Sequence, residues 1–194
     1  MSAIYSAFFT YVIITSITPG PNNILSLGVA SQHGIKRSTQ VISGMFCGQV
    51  VLMLLCGAFT YNMVNLLPVI TPWLTWVGAA YIVWLAWGIA TSDSKAISEQ
   101  QEGMSFLKGF GLQFVNVKII LYGVTSISTF VLPYTQDIYW ITGASLVLAF
   151  IALASNLAWA AAGQLLQSQF EKNAKVINLT LAAMLLYCAV RLFV

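Results

Sequence analysis

Six long apolar runs joined by short connections leave this chain of 194 residues little choice of fold. They cover roughly residues 3–30, 39–61, 68–91, 106–132, 138–161 and 174–194. A bilayer core about 30 Å thick is crossed by a helix of about 20 apolar residues. Within it only helices and closed barrels satisfy every backbone amide and carbonyl, and barrel strands are about half as long as these runs. The chain has 7% charged residues, against about 25% in a soluble domain, too few to cover a water-exposed surface. The expected class is an all-α integral membrane protein of six transmembrane helices. It reads as a single domain, 1–194, with half-repeats at about 1–91 and 106–194 and a polar connection at 92–105. Residues 1–17 have no base before them and no small-residue cleavage pattern after them, so the first run reads as a retained span.

Charge orients the spans. The connections near 31–38, 92–105 and 163–173 hold or adjoin Lys36, Arg37, Lys95, Lys108, Lys172 and Lys175, whereas those near 62–67 and 133–137 hold no base. Basic short loops stay in the cytoplasm, which puts both termini on the opposite side. Tyr61, Trp73, Trp76, Tyr139 and Trp140 then approach the outer surface and Trp84, Trp87 and Trp159 the inner one, as interfacial anchors do. Gly44 and Gly48 form a small-xxx-small pair that lets helices approach closely, within the chain or across a homo-oligomer seam.

The same residues exclude several function classes. Eight scattered bases against five acids do not make a nucleic-acid face. Cys47, Cys56 and Cys188 all lie in apolar runs and read as packing residues; with His33 the single histidine, placed in a solvated loop, no metal site is expected. No span offers the buried base or paired carboxylates of an intramembrane enzyme, and no Gly-rich Lys-Ser/Thr loop offers ATP chemistry. No cofactor is called for.

Two runs carry polar interruptions. Thr18, Pro19, Gly20, Pro21, Asn22 and Asn23 break the first. Pro19 and Pro21 lack amide hydrogens, so the carbonyls of Thr15 and Ile17 lose their helical partners, and Asn22 and Asn23 can supply replacements. A bare carbonyl in hydrocarbon costs several kcal/mol, so such a break belongs in protein or beside a hydrated cavity. The fourth run carries Gln113, Asn116, Lys118 and Tyr122. Lys118 is the one ionisable residue far from an expected membrane surface, and it either snorkels to water or faces a cavity where it meets a solute or carries a proton. Tyr122, with Gln49 and Asn156 in the second and fifth runs, could line the same cavity.

The halves correspond weakly: a shift of about 98 residues sets Gly20 on Lys118, and 99 sets Gly44 on Gly143. Three spans per half require the second half to be inverted. Transporters built so hold their solute near the midplane between discontinuous helices, and the free amides opening the second part of a broken helix suit a carboxylate.

At these positions the chain resembles the LysE/RhtB family of bacterial amino-acid exporters. The family's Thr-Pro-Gly-Pro-Asn signature stands here at 18–22, and its Asn-Pro-Lys of the fourth span stands as Asn116, Val117 and Lys118, with valine in place of proline. The stretches at 78–87 and 112–125 look most like the branch that exports cysteine and O-acetylserine. The resemblance implies efflux of small neutral amino acids across the bacterial inner membrane with protons as the coupling ion, and the charge pattern then makes both termini periplasmic. The two interruptions together make the expected substrate site, formed by Pro19, Gly20, Pro21, Asn22, Asn23, Asn116 and Lys118. Since all five acids lie in or near loops, a proton carrier within the spans would have to be Lys118; alternatively Lys118 stays charged and pairs with the substrate carboxylate. A passive small-solute channel is the competing reading.

Overall fold

The computed structural model describes residues 2–63 and 105–165, together with separate helical positions between 69 and 90 and between 173 and 190. The runs at 68–91 and 174–194 thus fall partly outside the described residues. Lys95, Lys172, Cys188, Arg191, Asp93, Glu99, Glu102 and Glu171 fall wholly outside them. Among the described residues there are six continuous helices: α1 (Ser2–Ile17), α2 (Pro21–His33), α3 (Ile35–Met63), α4 (Phe106–Val115), α5 (Val117–Phe130) and α6 (Ile138–Leu165). There is no strand among the described residues.

Length and apolarity make α3 and α6 each sufficient to cross a membrane; α4 and α5 qualify together as one span bent by 61°. The distribution of side chains agrees. Asn22, Gln49, Gln113, Asn116 and Asn156 are buried, while Ile14, Leu55, Trp140, Phe150 and Leu165 are exposed. Polar groups inside and large apolar groups outside invert the pattern of a water-soluble domain. The protein is an all-helical membrane protein.

Both interruptions are real breaks. In the first, α1 ends at Ile17 and α2 opens with Pro21 at its first position, where a missing amide hydrogen costs nothing. In the second, Asn116 alone, at φ −83° and ψ 90°, separates α4 from α5. This break forms without the family's proline. Val117 occupies the first position of α5, a place a proline tolerates but the helix does not require.

The expected loop at 31–38 is a correction. Helix α2 runs through His33 and α3 starts at Ile35, so Gly34 alone links them. Its φ of +79° with ψ of 169° is a backbone conformation essentially restricted to glycine, and its amide donates to the carbonyl of Ala30 at 3.0 Å. Lys36 and Arg37 therefore start a helix, and His33 lies in the last turn of α2 with Nε2 buried rather than solvated.

Close packing around the site relies on absent side chains. Any Cβ at Gly44 or Gly48 would strike the backbone carbonyls of Phe106 and Phe110, and one at Gly109 would strike that of Val41. The small-xxx-small pair thus serves the α3–α4 seam within the chain. Gly163 does the same for α6 against Leu27 of α2. Apolar clusters then fill in, Val12, Met53, Ile127 and Leu148 joining α1, α3, α5 and α6, and Val29, Ile42, Met45 and Ala160 joining α2, α3 and α6.

Candidate functional site between two broken helices

The bend at Asn116 brings α4 and α5 against the first turn of α2, so the two breaks meet. Asn22 is the hub. Its Nδ2 donates to Oε1 of Gln113 at 2.7 Å, while its Oδ1 accepts from Nδ2 of Asn116 at 2.9 Å and from Nε2 of Gln113 at 3.3 Å. Gln113 also donates to the carbonyl of Gly109 at 3.1 Å. All three amides are buried, and Oδ1 of Asn116 keeps no partner.

The carbonyls released at the first break are satisfied by side chains from three elements. Asn23 Nδ2 donates to Ser16 O at 2.8 Å and to Thr18 O at 3.0 Å. From α6, Ser155 Oγ donates to Ser16 O at 2.7 Å and Trp159 Nε1 to Ile17 O at 3.1 Å. From α5, Lys118 Nζ donates to Thr18 O at 2.5 Å and to Pro19 O at 3.4 Å. The ammonium therefore reaches into the first break rather than along α5 to an end. Trp159, expected as an interfacial anchor, is instead tied to the break; its indole N–H is a donor that a bare carbonyl captures.

Gly20 makes this reach possible. A Cβ there would lie 2.8 Å from Cδ and 2.9 Å from Nζ of Lys118. Its backbone is extended, φ −168° and ψ 176°, so space and not torsion demands glycine here. The first turn of α2 directs amides with no helical acceptor toward the same spot, those of Asn22 and Asn23, since Pro21 has none. A cation and a helix N-terminus facing one point are complementary to a carboxylate.

Between these groups lies a pocket of about 20 Å³, lined by Gly20, Asn23, Asn116, Lys118, Tyr122 and Asn156 among others, room for about one water. Of the seven expected substrate-site residues, Gly20, Pro21, Asn22, Asn23, Asn116 and Lys118 line it, and Pro19 adjoins it through its carbonyl. Tyr122 and Asn156 line it as well, whereas Gln49 does not. Ser155 and Trp159 were not readable as site residues: a serine and a tryptophan in an apolar run do not announce which carbonyls they will meet.

Residues 13–194 match the family model described as LysE type translocator. The chain belongs to the LysE family. Its members are translocators, not enzymes. It is 52% identical over 188 residues to the cysteine/O-acetylserine efflux proteins of Escherichia coli strain K12 and of Shigella sonnei strain Ss046, covering 97% of this chain and 96% of theirs. No solved structure matches.

Proposed function

We propose that this LysE-family chain exports small neutral amino acids, cysteine and O-acetylserine among them, from the cytoplasm across the bacterial inner membrane. The observation that carries the reading is the meeting of two broken helices at one buried polar cluster, in a chain 52% identical to cysteine/O-acetylserine efflux proteins. Six spans in two inverted halves, with periplasmic termini, suit this arrangement; the breaks then fall at matching places in the halves, as in transporters that bind near the midplane.

The residues suggest the chemistry. The ammonium of Lys118, now on the carbonyls of Thr18 and Pro19, would exchange them for the substrate carboxylate, which also meets the opening amides of α2. Asn116 Oδ1 offers an acceptor to the substrate ammonium, and Tyr122 and Asn156 flank the side chain. At about 20 Å³ the pocket is far smaller than any amino acid, so the described conformation is contracted and loading must part the helices around the breaks.

Proton antiport is the expected energy source. A proton crossing 100 mV supplies about 2.3 kcal/mol. If Lys118 is the carrier, Lys118→Arg loses the response of efflux to an imposed proton gradient, because arginine keeps its proton; full proton-driven efflux by that variant would assign the coupling elsewhere. The function itself is tested by extracellular cysteine and O-acetylserine from cells expressing wild type or Lys118→Ala at equal membrane abundance. Accumulation with the wild type alone supports exporter and site together; equal accumulation from both removes Lys118 from the site.

A further inference from the structure

Three fully buried side chains away from the pocket keep polar atoms without partners: both amide atoms of Gln49 and the hydroxyls of Thr60 and Ser126. Two are on α3 and one is on α5. On α3, Gln49, Met53, Cys56 and Thr60 follow at intervals of four, three and four residues, one stripe along a helix. Contacts set the facing stripe of α5. A Cβ at Gly123 would lie 2.9 Å from Met53 Sδ and 3.2 Å from Cys56 Cβ, and one at Gly57 would lie 3.7 Å from Ile127 Cδ1. Both numberings rise together, so the helices run parallel, and Ser126 falls one turn beyond Gly123 on this face.

Polar residues stand at each end of the seam. At one end, Gly48 faces Phe110 and Met53 faces Gly123, so five residues of α3 are spanned by thirteen of the opposite chain. That surplus is the bend at Asn116; Gln49 stands one turn before Met53 on the α3 stripe, and the preceding Gly48 faces Gln113, whose Cγ would lie 3.0 Å from a Cβ there. At the other end, a depression of about 460 Å³ is lined by Tyr61, Asn62, Ser128, Leu132, Pro133 and Gln136. This is the end of α3 that carries no base, the side expected to face outward.

We propose that the α3–α5 seam is the outward release path for the amino acid: from Asn116 past Gln49, through a constriction of Met53 against Gly123, and along Ser126 and Thr60 to the outer depression. The proposal rests on the exporter reading above. The unpartnered groups are then relays for a zwitterion in transit, idle while the path is shut. The constriction suits a gate, since an unbranched thioether can swing aside without moving a helix and the glycine opposite adds nothing to displace.

The test replaces idle hydroxyls by apolar groups of similar shape, Thr60→Val with Ser126→Ala, and compares Ser145→Ala. Ser145 is equally buried and adjoins Gly57, but its hydroxyl already bonds Ile141 O at 2.9 Å. Because the two seam hydroxyls hold no bond in the shut conformation, their loss leaves thermal unfolding unchanged or raised. Efflux of cysteine by the double variant at wild-type abundance falls about fivefold or more, about the worth of one lost hydrogen bond per solute in transit. Ser145→Ala exports as the wild type does. Undiminished efflux by the double variant overturns the path, as does a loss of efflux matched by a loss of stability. A wild type that exports nothing overturns the exporter reading beneath it, and its own arm shows this separately.

Discussion

Gly20→Ala isolates the contact on which the site depends. The new methyl would stand 2.8 Å from Cδ and 2.9 Å from Nζ of Lys118, where ordinary contact begins near 3.4 Å, so the lysine must retreat by about half an ångström. Its bond to Pro19 O is already 3.4 Å and breaks; the bond to Thr18 O weakens. Hydrogen bonds from a charged donor contribute about 1.5–3 kcal/mol. The backbone at Gly20 is extended, so alanine adopts it without strain and recovers about 0.4–1 kcal/mol by restricting the unfolded chain. The net is a loss of about 1–2 kcal/mol. If the displaced ammonium also fails to meet the substrate carboxylate, efflux falls about tenfold for each 1.4 kcal/mol. The assay is thermal unfolding in detergent beside extracellular cysteine measured by mass spectrometry at equal membrane abundance. Gly143→Ala is the control, since nothing among the described residues lies within 4 Å of that position; it should gain up to about 1 kcal/mol of helix propensity. Unshifted unfolding with full efflux from Gly20→Ala would show that the reach of Lys118 into the first break does not depend on this space.

Three further outcomes follow from the geometry. Val117→Pro restores the family's proline at the first position of α5, where no helical bond is lost; unfolding should be unchanged or raised by about 0.4–1 kcal/mol with efflux retained. Asn22→Ala strips the buried amides of Gln113 and Asn116 of their shared partner, at about 1–3 kcal/mol per orphaned group, and should lower both the unfolding temperature and membrane yield. Gly44→Val drives a side chain into the backbone of Phe106, so α3 and α4 must separate, and the expected destabilisation is about 1–3 kcal/mol or more.

Much of the fold was legible because a bilayer reduces the choices. Long apolar runs marked α3 and α6, and Pro19, Gly20 and Pro21 marked the first break by removing amide donors. The second break was legible through its polar residues alone, since Val117 breaks no bond; Asn116 bends the chain because its backbone leaves the helix while Asn22 holds its side chain. The turn at Gly34 was missed because polar residues at 31–38 read as a loop, although helix ends in this chain carry those residues. For the site, position was easier than partnership. Asn22, Asn116 and Lys118 stood out as polar groups in apolar runs, but that Lys118 would cross to Thr18 rather than snorkel depends on the 61° bend, which no local pattern encodes. Ser155 and Trp159 escaped for the same reason: their partners are carbonyls of another helix.

The proposed site holds the substrate carboxylate between Lys118 and the opening turn of α2. This placement is tested most directly by ligand-induced thermal stabilisation of the purified protein, with cysteine compared with cysteamine, which lacks the carboxylate. A ligand at about 100 times its dissociation constant adds about 2.7 kcal/mol to the folded state. Cysteine should raise the unfolding temperature of the wild type, cysteamine should not, and Lys118→Met should abolish the difference. Equal stabilisation by both ligands, or a cysteine response that survives Lys118→Met, would contradict it.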